Sequence, residues 1–370
     1  MIKALTPQEW RDKNKQWSDG RFETIDEFLL QAEKASRELE LVRGCPCLRP
    51  NDIALFTVVR NEEVRLPAFL NHYRNLGVDR FFIIDDHSTD ETLNVLYDSG
   101  DVEIWRAKGQ FKEGKLLWLT ALIHAVTHAH NNWVVVADAD EFLVYDGMEA
   151  HDLHDLVQLL EQSCERRLRA VMIDVYGKNS IRNTPWPTGD PLKSEWFYDP
   201  DNYKRTKWGV QGGARWRVFS TEEDPFLNAL DKYPVGYFDS ASGLMNPHQP
   251  YPYHLNNGPI RAAMLHLKFT SDFIPLVERA VQEKQFWKGA REYRIYQDAL
   301  RNNPDLSLYH QGSQRVEGSS SLKDAGLIVP IDWEQPSGHA KAPLRHKLHA
   351  RIRDLLGPHF RDLSFKRNRS

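Results

Sequence analysis

WVVVADADEF, residues 133–142, sets an apolar run directly against Asp138, Asp140 and Glu141. A short apolar run ending in polar residues reads as a buried parallel strand that delivers its C-terminal end to a site. Two carboxylates at such a strand end carry a large desolvation cost unless their charge is compensated. A divalent cation compensates it economically, with carboxylates on one side and pyrophosphate oxygens on the other. An acidic turn capping a helix is the other reading of the same residues. The strand before the turn, and the immediate return to Phe142-Leu143-Val144 after it, favour the cation.

Upstream, two further apolar runs end in polar clusters. IALFTVV (53–59) runs into Arg60-Asn61-Glu62-Glu63, and RFFII (80–84) runs into Asp85-Asp86-His87-Ser88-Thr89-Asp90. Between them lies a helical stretch from Leu66 to Leu76, closed by Gly77 at the position where a left-handed residue ends a helix. A second helix is expected to run to Tyr97, capped by Ser88, Thr89 or Asp90. A strand at Val102–Trp105 and a helix over 116–130 complete the alternation. Strand, helix, strand, helix with right-handed crossovers predicts an α/β sheet that binds ligands outside the carboxyl ends of its strands. Asp85 and Asp86 lie along that edge, where a carboxylate accepts from the N3–H of uracil or from a ribose hydroxyl.

After Val144 the alternation weakens. A helix is expected over Asp152–Cys164, a strand over Ala170–Val175, another strand over Ala262–Phe269 and a helix over Asp272–Lys284. Residues 177–260, rich in Pro, Gly, Asn and aromatics, read as long ordered loops that shape a pocket. Near the N-terminus Ile25, Phe28, Leu29, Ala32, Ala35, Leu39 and Leu41 recur at near-helical spacing until Gly44 and Pro46. The expected organisation is a helical preface (1–50), an α/β domain (51–275, nucleotide-binding half 51–145 and acceptor half 146–275) and a basic helical extension (276–370).

Hydrophobic residues at 41% and charged residues at 27% are enough for a sizeable core, and a net charge of -4 gives no reason to expect nucleic acid as a partner. The three cysteines, Cys45, Cys47 and Cys164, form neither a disulfide framework nor a four-ligand zinc site. The N-terminal stretch is charged throughout and no run of about 18 apolar residues occurs, so the expected location is cytoplasmic. From Lys341 onward nine Lys or Arg face two Asp, with Leu348, Ile352, Leu355, Leu356, Phe360 and Leu363 near helical spacing. Such a segment either packs on the catalytic domain or makes peripheral contact with the inner membrane face.

The three strand-end motifs together carry a resemblance. VVRNEE, DDHSTDET and DADEF, within a span from about Ile53 to Phe273, resemble the first-strand, second-strand and D-x-D motifs of family 2-type glycosyltransferases with the GT-A fold. The resemblance implies transfer of a sugar from a nucleotide-sugar donor to an acceptor hydroxyl, dependent on Mn²⁺ or Mg²⁺. The acceptor it implies is a saccharide or a lipid-linked sugar, in surface polysaccharide or glycoconjugate synthesis. Asp138 and Asp140 would meet the metal and diphosphate, Asp85 or Asp86 the base or ribose, and Val58, Arg60 and Asn61 the nucleoside. The family's further histidine ligand is best matched by His266, which interrupts the apolar strand AAMLHLKF; His248 and His254 are competitors. Lys112 and Lys115, or Arg215 and Arg217 after Gly212-Gly213, are candidates for the diphosphate. Many inverting members carry an acidic base in a Glu-Asp pair after a Gly-rich acceptor segment. Glu223, within Glu222-Glu223-Asp224, and Asp239 are the candidates here, and neither sits in a good copy of that context. The stereochemical course therefore stays open. A non-catalytic nucleotide-sugar-binding or scaffold protein on the same fold is the alternative.

Overall fold

A computed structural model describes residues 22, 24–45, 47–127, 133–187, 189–206, 209–220, 229–284 and 287–334. The C-terminal basic segment and the Glu222-Glu223-Asp224 cluster lie outside the described residues. In chain order the elements begin with α1 (Ile25–Ala35), β1 (Leu39–Arg43), β2 (Ala54–Val59), α2 (Leu66–Asn75) and β3 (Arg80–Asp85). They continue with α3 (Thr92–Tyr97), β4 (Val102–Ala107), α4 (Phe111–Thr127), β5 (Trp133–Val136), β6 (Glu141–Tyr145) and α5 (Leu153–Gln162). Next come β7 (Arg167–Tyr176), β8 (Phe197–Tyr198), β9 (Tyr203–Thr206), β10 (Gly209–Gly212), α6 (Gly213–Phe219) and β11 (Asp231–Tyr237). The last are β12 (Ile260–Phe269), α7 (Phe273–Glu283), α8 (Trp287–Asn302), β13 (Gln314–Arg315) and α9 (Gly318–Asp324).

The main sheet runs β1-β4-β3-β2-β5-β11-β7-β12-β6, with β8 and β13 attached beyond β7. Strands β4, β3, β2 and β5 are mutually parallel, as their apolar runs require. Strand β11 enters antiparallel between β5 and β7, while β7 and β12 run parallel. All residues of β2 and of β12 are buried, which is why neither shows the alternation of a half-exposed strand. Helices cover both faces, giving the expected α/β architecture of the GT-A type. No helix among the described residues is long and apolar enough to cross a membrane.

Three local expectations are corrected. Leu39 and Leu41 belong to a strand, not to the helical preface: α1 stops at Ala35, and β1 pairs antiparallel with β4 at the sheet edge. Two-residue spacing, not helical spacing, is the relevant period there. Residues 177–260 contain regular structure, including β11 in the middle of the sheet. Its Pro234 argues against a central strand from sequence, but the register with β7 shifts between Lys232 and Val235, and that irregularity accommodates the missing donor. Ser88 and Thr89 do not cap α3, which begins only at Thr92. Residues Ser88 to Thr92 brace the loop after β2 instead. Asn61 N–H donates to Ser88 Oγ (3.0 Å), Thr89 N–H to Asn61 Oδ1 (2.7 Å), Glu62 N–H to Thr92 Oγ1 (2.7 Å) and Glu63 N–H to Asp90 Oδ2 (3.3 Å).

His72 on α2 is buried in the core with its Nε2–H donating to the carbonyl of Leu143 at 3.0 Å. Burial pushes its pKa down to about 4, the hydrogen bond opposing only part of the shift. Between the unfolded value near 6.5 and this folded value, the unfolded chain binds a proton that the native chain refuses. Native stability should therefore fall with falling pH in that window, by about 2 kcal/mol from this residue between pH 7 and pH 5. Buried His124, also shifted down by burial, adds to the same trend. Urea unfolding at the two pH values should show the loss in wild type and a smaller loss in His72→Gln. Equal losses would remove His72 as the cause.

Candidate active site

The parallel strands deliver their C-terminal ends to one edge, and β11, entering antiparallel, brings its first residues to the same edge. After β5 the chain turns tightly, Glu141 N–H donating to the Asp138 carbonyl at 2.9 Å. The carbonyl of Asp140 accepts from Leu267 N–H at 2.8 Å, which fixes the turn against β12. The two aspartates then point to different partners. Lys115 Nζ, from the second turn of α4, lies 2.6 Å from Asp138 Oδ1. His266 Nε2 lies 3.2 Å from Asp140 Oδ2.

His266 is oriented from behind. It sits opposite Asp174 in the parallel β7–β12 register, and its Nδ1 lies 2.8 Å from Asp174 Oδ1. The other oxygen of Asp174 accepts from Arg215 Nε at 2.7 Å. Arg215 also donates through Nη2 to Met172 Sδ at 2.9 Å and through Nη1 to Glu292 Oε1 at 3.5 Å. Asp174, His266 and Arg215 are all buried. Burial raises a carboxyl's pKa, yet Arg215 and His266 hold Asp174 below the ordinary value. Burial likewise opposes charge on Asp140, but His266 and then Arg65 and Lys268 hold it well below the carboxylate range. On His266 the carboxylates of Asp140 and Asp174 outweigh burial and raise the pKa.

Glu141, the third acid of the motif, is buried and structural. Its Oε1 lies 2.7 Å from Lys232 Nζ and its Oε2 accepts from Asp138 N–H at 3.2 Å. Asp138 is kept below the ordinary carboxylate value by Lys115 and Lys232 against the opposing effect of burial.

On the β2–β3–β4 side an open cavity of about 300 Å³ is lined by Arg60, Asp86, His87, Lys108, Gly109, Gln110 and Phe111. Of the pair at the end of β3, Asp86 faces this cavity. Asp85 is turned into the loop, its Oδ1 accepting from Ser88 N–H at 3.1 Å. Arg60 lies 4.0 Å from Asp86 Oδ2 and forms two hydrogen bonds, of 3.0 and 3.1 Å, to Glu283 at the end of α7. Val58 is buried in β2, and Asn61 is engaged with Ser88 and Thr89. A second ion pair, Arg65 with Asp272, ties the same loop region to the start of α7. Arg65 also pairs with Glu62 at 3.0 Å, and burial pushes Glu62 up to about 7 despite that partner.

Several expected residues are held elsewhere. Arg215 and Arg217 are committed to protein carboxylates, Arg217 Nε donating to Asp199 Oδ2 at 2.8 Å. Gly212 and Gly213 do permit a close approach, but by Asn202 and Tyr203 at the start of the paired strand rather than by a ligand: a Cβ on Gly212, at φ +120, would lie 2.0 Å from the Asn202 carbonyl oxygen. Asp239 lies beyond the C-terminal end of β11, at the edge opposite Asp138, where its Oδ1 accepts from Ala241 N–H (3.0 Å) and Ser242 Oγ (2.9 Å). Lys112 and His254 are exposed, and His248 Nδ1 approaches the Asp231 carbonyl at 3.2 Å, so of the three histidines His266 is the one beside Asp140.

Among the described residues no group of three or more His, Cys, Asp or Glu converges as a ready metal site. Asp140 and His266 offer two donors, with Asp174 fixing the ring so that Nε2 faces Asp140. This suits an ion that keeps few protein ligands and completes its shell with water and substrate phosphates.

The family described as Glycosyl transferase family 2 matches residues 55–211. That match supports a family 2 glycosyltransferase over the strands that carry VVRNEE, DDHSTDET and DADEF. No curated protein matches the chain. Among solved structures it is similar to one described as "Crystal structure of 4-diphosphocytidyl-2C-methyl-D-erythritol synthase", at 13% identity, over 52% of this chain and 76% of that chain. With a TM-score of 0.24 that likeness bears on nothing further.

The sequence offered no signal for Lys232, Lys268, Glu292 or Phe111 as members of this edge, because each arrives through tertiary packing. A testable consequence concerns Arg215, whose three nitrogens each meet a different partner. Arg215→Lys keeps one charge but cannot span those contacts, leaving Asp174 underpaired in the core. It should cost about 3 kcal/mol of stability by urea unfolding. A loss under about 1 kcal/mol would mean the network adds little to the fold.

Proposed function

We propose that the protein transfers a sugar from a nucleotide-sugar donor to an acceptor hydroxyl, with a divalent cation held by Asp140 and His266. The observation that carries this reading is the oriented Asp140–His266–Asp174 chain at the carboxyl edge of the sheet, with contacts of 3.2 and 2.8 Å. A histidine donating its second ring nitrogen to a carboxylate is how metal-binding imidazoles are fixed in tautomer and direction. Bound there, Mn²⁺ or Mg²⁺ supplies charge stabilisation for the departing nucleoside diphosphate.

The remaining roles follow from position. The nucleoside lies in the cavity beside Asp86, whose carboxylate accepts from a base N–H or a ribose hydroxyl, with the Phe111 ring as an apolar wall. Lys115, held by Asp138, is within the same edge and available to the diphosphate oxygens. Asp138 then serves mainly to fix Lys115, a division of labour between the two aspartates. The acceptor, a saccharide or lipid-linked sugar of a surface polysaccharide or glycoconjugate, approaches over β7 and β12.

The test is a screen of nucleotide-sugars for Mn²⁺-dependent release of nucleoside diphosphate. Asp140→Ala should lower turnover by at least about 100-fold on the donor identified, and Asp138→Ala by less. Mn²⁺ titration in the presence of UDP or GDP should show weakened binding in Asp140→Ala and His266→Ala, with melting temperatures measured on the same samples. Wild-type activity in Asp140→Ala at saturating Mn²⁺ would overturn the cation assignment.

A further inference from the structure

The described carboxylates packed around the Asp140–His266 pair are already committed to other partners. Asp174 and Glu141 are buried with both oxygens engaged. Asp138 holds Lys115, Asp140 faces His266, and Asp199 is buried against Arg217 and Tyr176. Asp239 lies at the opposite edge of the sheet. Beyond residue 211, helices α7 and α8 follow β12.

There α8 brings Glu292 over the Asp174–Arg215 pair. The contacts of its carboxylate fall on one oxygen. Oε1 accepts from Tyr296 Oη and lies 3.5 Å from Arg215 Nη1 and 3.9 Å from Lys268 Nζ. Oε2 has no partner among the described residues, and about a third of the side chain, 36%, is open to solvent. Lys268 is itself confined: its ammonium lies 4.9, 5.5 and 5.8 Å from the ring centres of Tyr293, Tyr296 and Phe273. Glu292 is thus clamped by one oxygen, and the other, without a protein partner among the described residues, belongs to a side chain partly open to solvent, a geometry that fixes a reactive lone pair in place.

The clamp is continuous with the site. Glu292, Arg215, Asp174, His266 and Asp140 form one chain, with successive contacts of 3.5, 2.7, 2.8 and 3.2 Å. The nucleoside cavity lies on the β4–β3–β2 side of Asp140, and Glu292 lies on the β12 side. On the function proposed above, the diphosphate leaves towards the nucleoside side. An acceptor attacking in line must enter from the other side, where Glu292 waits. Among the described residues Glu62, after β2 on the leaving-group side, and Asp272, at the start of α7, are both bound to Arg65.

We propose that Glu292 is the general base of an inverting transfer. Its Oε2 takes the proton of the acceptor hydroxyl as that oxygen bonds to the anomeric carbon. The bond from that carbon to the phosphate oxygen breaks in the same displacement, and the nucleoside diphosphate leaves with the electron pair. Burial favours the neutral acid, but Lys268 and Arg215 outweigh it and hold the carboxyl below its ordinary value, so it is ionised and ready at neutral pH.

The experiment uses water as acceptor on the full chain. UDP-glucose, UDP-galactose, UDP-N-acetylglucosamine, GDP-mannose and dTDP-rhamnose are screened with Mn²⁺, and the donor turned over by wild type is carried forward. Glu292→Gln, Glu292→Asp and Glu62→Gln are compared with wild type. The readouts are kcat, calorimetric affinity for the matching nucleoside diphosphate with Mn²⁺, and the first-formed sugar anomer by NMR. The expected result is a loss in kcat of about 100-fold or more for Glu292→Gln. Its nucleotide affinity should stay within about twofold, Glu292→Asp should recover part of the rate, and the released anomer should be inverted. A Glu292→Gln rate within fivefold of wild type, a retained anomer, or the large loss falling on Glu62→Gln instead overturns the proposal. Wild type inert towards all five donors sinks the transferase reading itself, an outcome distinct from an active wild type matched by an active Glu292→Gln.

Discussion

Asp174 is a carboxylate taken out of water in the middle of a sheet, and the site is built around satisfying it. An unpaired buried charge of this kind costs several kcal/mol, so each of its oxygens must be met by a charged or strongly polar partner. His266 meets one because β7 and β12 run parallel with the two residues in register. Arg215 meets the other because α6 starts immediately after the Gly212-Gly213 turn and projects its first residues towards β7. Strand pairing, a turn accessible only to glycine and a helix start all converge on one side chain. The ring of His266, the direction of Asp140 and the seat of Glu292 follow from it.

Much of the first half of the sheet, β2 to β5, was legible from residue order alone. The runs ending at Val59, Asp85 and Val136 are continuous apolar segments because their strands are covered on both faces, and each polar cluster after them marks the carboxyl edge. What could not be read was the division of labour inside DADEF. Asp138, Asp140 and Glu141 are equivalent in sequence, but they are sorted by Lys115, His266 and Lys232, which come from α4, β12 and β11. The same limit misled the reading of Arg215 and Arg217. Exposure to phosphate and burial against Asp174 or Asp199 leave no different trace in the residues around them.

The other half of the sheet was less legible for a topological reason. Its strands enter in the spatial order β11, β7, β12, β6, which departs from chain order, and β11 carries a proline that a central strand ordinarily excludes. A pattern-based reading sees a proline-rich loop where the sheet in fact continues, because the register shift that makes room for Pro234 depends on β7, some 60 residues upstream. The family match, ending at residue 211, likewise stops before β12, α7 and α8. In that part of the chain His266 alone stood out, as an imidazole interrupting an apolar strand, while the places of Lys268 and Glu292 are visible only in three dimensions.

The braces between the loops after β2 and β3 have a further meaning. Four hydrogen bonds from Asn61, Glu62, Glu63 and Thr89 join two adjacent crossings of the sheet edge. A ligand arriving at Asp86 therefore meets a rim whose conformational entropy has already been spent during folding. Ordering losses on association are correspondingly small on this side and are left to the side chains that line the cavity. The rim is a preformed template, and on the proposed function discrimination among bases would fall to the reach of Asp86, Lys108 and Phe111 rather than to any closure of the loops around them.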